Sequence, residues 1–331
     1  MEHPENPVLP DEAHWDQTGT VFDLGLLQEN VTVTGQPADL YFLQVGAEPI
    51  ETKLVWRMWN SWRPRGSIGY STSTDGKTWN QTLAVSLPPN GGWEHAINRP
   101  FVKKIATGKY GMWYTGQGAD LGGLVDGSIG YAESPDGIIF TRTSDKPVLK
   151  PEYPWEKDAV MTPTIVDLPG GALRMYYAGG ETYEPDSIGA AHSYDGGHTW
   201  IKFGNPVLTP DQNSGKVGEW WDSYKVTSPH VILGDDGYYY MFYAGFRNVD
   251  YSSIGVVRSK DGLTSWERLT NNPIIDIIPG TWKCDAAYKP FVGWSEDQQE
   301  WLLWYNGRCN RDERIGVSIL KSRTFGRFIK R

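Results

Sequence analysis

The sequence predicts an all-β fold, a five-bladed β-propeller with four short antiparallel strands per blade. Three observations carry this: a phrase repeated at near-constant period, an apolar strand before each copy, and a Trp-to-Pro segment before that. Self-similarity at a fixed period is the signature of a repeat architecture and is read before any local propensity. The phrase runs SIGYSTSTDG (67–76), SIGYAESPDG (128–137), SIGAAHSYDG (187–196) and SIGVVRSKDG (253–262), and a fifth copy, RIGVSIL (314–320), keeps the start and lacks the turn. Successive starts lie 61, 59, 66 and 61 residues apart.

Each element of the unit has a local reason. Apolar strands ending in small residues precede the phrase: GMWYTG (111–116), RMYYAG (174–179), YMFYAG (240–245) and WLLWYNG (301–307), with WRMW (56–59) in the first unit. An innermost strand lies further upstream, introduced by a Trp and carrying a Pro: Trp93 and Pro100, Trp155 and Pro163, Trp221 and Pro229, Trp282 and Pro290. The Asp-Gly pairs suit tight hairpins because both residues tolerate positive φ, so they are read as turns rather than catalytic acids. Four such strands per roughly 60 residues form one propeller blade.

The blades run roughly over 11–85, 86–150, 151–210, 211–275 and 276–331, the last completed by 1–10, in a single domain spanning 1–331. NPVLP at 6–10 matches KPVL (146–149), NPVL (205–208) and NPII (272–275), segments that close an outer strand. The N-terminus is therefore expected to complete the last blade and remove an open sheet edge.

Composition narrows the partners. A net charge of −9 argues against nucleic acid, which demands a basic stripe. No apolar run approaches the ~18 residues of a membrane span, and the N-terminus lacks the pattern of a signal peptide, so cytoplasmic residence is expected. Cys284 and Cys309 offer no disulfide framework and no metal-ligand spacing, and no cofactor is expected. The 16 Trp, 18 Tyr and 10 Phe supply core area and, where exposed, flat stacking surfaces for a ring-shaped ligand.

Strand direction puts the starts of the innermost strands and the loops between second and third strands on one rim, where a small-molecule or oligosaccharide pocket is expected. The strand starts offer Asp23, Asn98, Arg99, Asp158, Thr162, Tyr224, Ser228, Asp285, Tyr288 and Lys289. The loops offer Trp59, Trp62, Gln117, Glu181, Arg247 and Arg308. Trp93, Trp155, Trp221 and Trp282 recur in every unit and read as blade packing. Asp23 departs from the repeat, since the other units carry Pro thereabouts, and a unique residue at a repeated position is the more informative one.

The SIGYAxSxDG, MWYTG and Trp-Glu-to-Pro elements resemble the five-bladed propellers of glycoside hydrolase family 43 and its relatives, families 32, 68, 117 and 130. The resemblance covers essentially the whole chain. It implies a carbohydrate-active enzyme that cleaves or transfers a glycosidic bond in a central pocket, and it makes Asp23, within FDLGLL (22–27), the base or nucleophile. Where relatives place acids on the second and third inner strands, this chain reads NRP (98–100) and MTP (161–163). Glycoside cleavage usually needs two carboxyl groups roughly 5 to 9.5 Å apart. Glu181 or Asp158 is then the candidate for the second, and Arg99, Lys289 and Arg308 suit a phosphate if the reaction is phosphorolytic. Two other readings compete. One is a repurposed propeller that orients a hydrophobic intermediate without hydrolysis, as in hetero-Diels–Alder cyclases. The other, suggested by the Asp-box-like SYDGGHTW (193–200), is a sialidase or a lectin-like module.

Overall fold

A computed structural model describes residues 2–3, 21–33, 51–62, 65–80, 84–211, 218–310 and 312–321. The fold is all-β and propeller-like. Its strands fall into successive antiparallel meanders. The first comprises β1 (Val21–Val33), β2 (Glu51–Trp62), β3 (Ser67–Ser73) and β4 (Ala84–Leu87). The second comprises β5 (Ala96–Ala106), β6 (Lys109–Asp120), β7 (Gly123–Ser134) and β8 (Thr141–Arg142), and the third β9 (Ala159–Asp167), β10 (Leu173–Gly180), β11 (Ser187–Ser193) and β12 (Ile201–Lys202). The fourth holds β13 (Lys225–Leu233), β14 (Tyr239–Phe246), β15 (Ser252–Ser259) and β16 (Glu267–Arg268), and the fifth β17 (Ala286–Ser295), β18 (Glu300–Cys309) and β19 (Asp312–Leu320). Single parallel bridges, Gly127 with Ala159 and Ser252 with Ala286, join the second meander to the third and the fourth to the fifth.

The first strands close a circle. β1 packs on β5, β5 on β9, β9 on β13, β13 on β17, and β17 returns to β1. At the far rim four of the meanders grip the next through one aromatic side chain of the second strand. The Trp59 indole donates to the Gly137 carbonyl (2.9 Å), Trp113 to Gly197 (3.1 Å), Tyr176 to Gly262 (2.7 Å) and Trp304 to Gly76 (2.7 Å). Each acceptor belongs to the Asp-Gly turn region of the following repeat, and the last bond ties the fifth meander to the first. The fourth meander has Phe242 at this position, which has no donor, and the fifth copy of the phrase has no Asp-Gly turn to receive one. The turns therefore have an inter-sheet role beyond reversing the chain.

The repeated Trp is packing, as expected. Trp93, Trp155, Trp221 and Trp282 lie flat on Gly116, Gly179, Gly245 and Gly307, where an added Cβ would come within 2.6, 2.5, 2.3 and 2.1 Å of the ring. The acid that follows the Trp is buried in a triad with a tyrosine and a cation. Glu94 takes Tyr114 and Arg142, Glu156 takes Tyr177 and Lys202, and Asp222 takes Tyr243 and Arg268. In the fifth meander the polarity reverses: Lys283 stands at the acid's position and Glu2 supplies the carboxylate at 2.5 Å. Glu2 also bridges Ser318, and the His3 N–H donates to Val317, so the N-terminal pair lies beside β19. The expected closing segment at 6–10 lies outside the described residues.

One expectation is corrected. Cys284 and Cys309 form a disulfide. The β17–β18 register puts Ala286 opposite Arg308, which brings the two cysteines together at the mouth of the hairpin. Spacing along the chain alone does not reveal this; counting the hairpin register would.

Candidate active site at the hub

The five first strands share one local irregularity. At Asp23, Arg99, Thr162, Ser228 and Lys289 the backbone turns left-handed, with φ of 53°, 55°, 54°, 53° and 53°. The pairing to the second strand breaks register at the same place in all five. A non-glycine residue in this region costs about 1–3 kcal/mol and persists where the surroundings over-determine it. Part of that support is visible. The Asp23 N–H is taken by Asn306 Oδ1 (3.1 Å), the Arg99 N–H by Ser61 Oγ (2.8 Å) and the Thr162 N–H by Thr115 Oγ1 (3.1 Å). Ser61, Thr115 and Asn306 occupy equivalent positions on β2, β6 and β18, so three of the meanders hold the bulge of the next; the third and fourth have Ala178 and Ala244 there.

The five bulged residues, with the Pro or Leu that follows each, surround a hub void of about 40 Å³. Phe101, His230 and Phe291 line the same void and contact one another, the His230 and Phe291 rings at 4.0 Å. A cavity of about 980 Å³ opens on the rim, and Arg99 and Lys289 belong to both walls. Residues at the rim ends of all five hairpins between second and third strands contribute to the cavity, Arg65, Leu124, Glu184, Asp250 and Asn310 among others.

Asp23 is 3% exposed, and each of its carboxylate oxygens faces a cation. Lys289 Nζ lies 2.9 Å from Oδ1, Arg99 Nε lies 3.7 Å from Oδ2, and the Ser61 hydroxyl donates to Oδ2 at 3.0 Å. The same two cations face Glu184, whose Oε1 is 3.7 Å from Arg99 and 3.9 Å from Lys289. The centre is thus two carboxylates sharing two cations.

Of the residues expected from sequence, Asp23, Arg99, Thr162, Ser228 and Lys289 meet at the hub, and Asn98, Gln117, Asp285 and Arg308 line the cavity with Arg99 and Lys289. The Asn98 amide donates to Gln117 at 2.8 Å, and Arg308 donates to the Asp250 carbonyl at 2.7 Å. The others lie elsewhere. Trp59 is buried in the core between the first and second meanders, its indole spent on Gly137, and cannot face a ligand. Trp62 is buried in the cluster around Trp304 and carries Arg65 over its ring. Tyr288 is buried with its hydroxyl on Glu313, and burial followed by that carboxylate pushes its pKa far up. Tyr224 is half-buried under Lys225, and Asp158 and Arg247 are exposed away from the cavity wall.

Glu181 is exposed and bound to Lys225 (2.7 Å) and Lys157 (3.3 Å). The Lys225 hydrogen bond, above all, holds its carboxyl below the usual range. The cavity carboxylates missed in sequence are Glu184 and Glu313. The signal for Glu184 was present but not decisive: ETYEPD (181–186) holds three acids, and only the loop's path selects one.

Among the described residues, one trio of potential metal ligands lies close together, Cys284, Asp285 and Cys309, and its two sulfurs are joined in the disulfide.

No protein-family model matches the chain. It is 26% identical over 215 residues to fructan 1-exohydrolase of Hordeum vulgare, a match covering 63% of this chain and 34% of that protein. It is 30% identical over 144 residues to the β-1,2-mannobiose phosphorylase of a Thermoanaerobacter species, covering 39% of this chain and 44% of that protein. A 1,2-β-oligomannan phosphorylase of the same strain is 25% identical over 198 residues, covering 58% and 57%. The matches thus span between about a third and somewhat over half of those relatives. Among solved structures, a thermostable family-43 glycoside hydrolase superposes with a TM-score of 0.61 at 18% identity, covering 89% of each chain. A family-130 structure, described among mannoside phosphorylases and hydrolases that target β-1,2 mannosidic linkages in Candida mannan, gives 0.65 at 16% identity, covering 98% and 94%. The chain has the fold of these proteins, and its resemblance to the family 43-like superfamily of propeller glycoside hydrolases holds.

Proposed function

We propose that the chain is a five-bladed propeller that acts on a glycosidic bond in the rim cavity, with Asp23 as its base. The observation that carries the reading is the ring of five left-handed bulges. It sets two cations in the wall of a cavity roomy enough for an oligosaccharide and one carboxylate directly behind them. A void of about 40 Å³ beside Asp23 exceeds the ~10–15 Å³ that one water needs, so a water fits next to the base. Arg99 and Lys289 fix the Asp23 carboxylate and offer positive charge to a developing oxyanion or to an incoming phosphate. Glu181 and Asp158 lie off the cavity and receive no contact with substrate in this reading.

No helix of the described residues is long and apolar enough to cross a membrane. The Cys284–Cys309 disulfide favours an oxidising location over the cytoplasm, because thiols are kept reduced there.

The test is turnover of a panel of aryl glycosides and β-linked mannose and fructose oligosaccharides, with and without inorganic phosphate. Asp23→Asn is expected to lose about 10²–10⁴-fold, the usual contribution of a positioned acid–base group. A phosphate requirement marks phosphorolysis; turnover in water marks hydrolysis. Unchanged turnover in Asp23→Asn removes Asp23 from the mechanism. A wild type inert on every glycoside returns the hub to non-hydrolytic chemistry.

A further inference from the structure

We propose that Glu184, on the loop between β10 and β11, is the proton-donating carboxyl of this site, the second acid that the inner strands do not supply. The inference rests on the glycoside reading above. Four carboxylates line the cavity; two are committed elsewhere and a third is exposed. Asp285 accepts the Asn310 N–H at 2.7 Å, Glu313 holds the Tyr288 hydroxyl, and Asp250 is exposed at the lip. Glu184 alone among the four faces the Arg99–Lys289 pair that also binds Asp23. Since Lys289 Nζ is 2.9 Å from Asp23 and 3.9 Å from Glu184, the facing carboxylate oxygens are at most about 7 Å apart, below the upper end of the roughly 5 to 9.5 Å that glycoside cleavage uses.

Two further observations distinguish the roles. Asp23 Oδ1 and Glu184 Oε2 are both buried without a hydrogen-bond partner among the described residues, but Asp23 Oδ1 has Lys289 Nζ at 2.9 Å, whereas Glu184 meets its cations through Oε1, at 3.7 and 3.9 Å. A proton carried on Oε2 breaks no existing hydrogen bond among the described residues. The loop is also held by groups from other meanders. Arg99 donates to the Tyr183 carbonyl at 3.0 Å and Lys225 to the Glu184 carbonyl at 2.9 Å. The backbone that aims Glu184 is therefore fixed on both sides, as a catalytic group requires.

The step balances with water as co-reactant. The Glu184 proton passes to the glycosidic oxygen while the bond from that oxygen to the anomeric carbon breaks, its electron pair staying on the departing oxygen. Water bonds to the anomeric carbon and yields one proton to Asp23. Exchange with solvent then returns the proton to Glu184 and removes the one on Asp23.

The experiment compares wild type, Glu184→Gln and Glu184→Ala on aryl glycosides of whichever sugar the wild type cleaves, with phenol leaving groups of graded acidity. Loss of a proton donor slows an unactivated phenyl glycoside by about 10²–10⁴-fold and a dinitrophenyl glycoside far less. Thermal melting of each variant separates catalysis from folding. Equal losses across the leaving-group series, or no loss, overturn the assignment while the glycoside reading stands. A wild type without turnover overturns both.

Discussion

Replacing Trp304 by Phe severs one of the bonds that join the fifth meander to the first and close the circle of sheets. The Trp304 indole is fully buried and donates at 2.7 Å to the Gly76 carbonyl, joining β18 to the turn after β3 across 228 residues of chain. Phenylalanine leaves that buried carbonyl without its donor, at about 1–3 kcal/mol. The missing ring volume adds about 1 kcal/mol at ~24 cal/mol per Å³ of residual cavity. The total is about 2–4 kcal/mol. Unfolding entropy near 2.1 cal/mol/K per residue, taken over 331 residues, converts this to a fall of about 3–6 °C in melting temperature. Calorimetry measures the shift, and hydrogen exchange locates it: amides of β1–β4 and β17–β19 should open first. Trp113→Phe, which cuts the bond to Gly197 between the second and third meanders, serves as control and should loosen that pair instead. A Trp304→Phe melt within 1 °C of wild type, or exchange spread evenly over the molecule, would refute the closure role.

Two more outcomes are expected. Glu156 is completely buried with Lys202, and it also accepts the Tyr177 hydroxyl and the N–H groups of Glu152 and Tyr153. Glu156→Gln should cost about 3–5 kcal/mol by denaturant midpoint, because it strands a buried cation, and Glu156→Leu with Lys202→Met should cost less than the single change. His230, inside the hub void, has its pKa pushed down to about 4 by burial, which outweighs its hydrogen bond to Val292. The unfolded chain takes that proton near pH 6.5 and the folded chain only near 4, so stability from His230 is complete above 6.5 and falls away as pH drops to about 4. The loss is on the order of 3 kcal/mol. The stability difference between wild type and His230→Phe should shrink over that window; a constant difference would rule out His230 as the titrating group.

The hub was partly legible in the residues. Asp23 stood out as the one acid at a position where other repeats run into proline, and Arg99, Thr162, Ser228 and Lys289 were found because each precedes a Pro. Trp59 and Trp62 were misplaced for a related reason: an aromatic residue at a strand end reads alike whether it turns to the rim or to the next sheet. Glu184 was hidden among three acids of one loop, and the disulfide was hidden because it depends on hairpin register.

The chain alone determined the meander, its period, its turns and the odd position of Asp23. Alternation and turn chemistry act between residues a few places apart, and repetition multiplies the signal. Tertiary structure alone decided that Asp23 shares Lys289 and Arg99 with Glu184, that Trp304 reaches Gly76, and that Glu2 answers Lys283. These pairs lie tens to hundreds of residues apart, and similar repeats offer each group several equivalent partners. Only closing the ring, which brings the last strand against the first, selects among them.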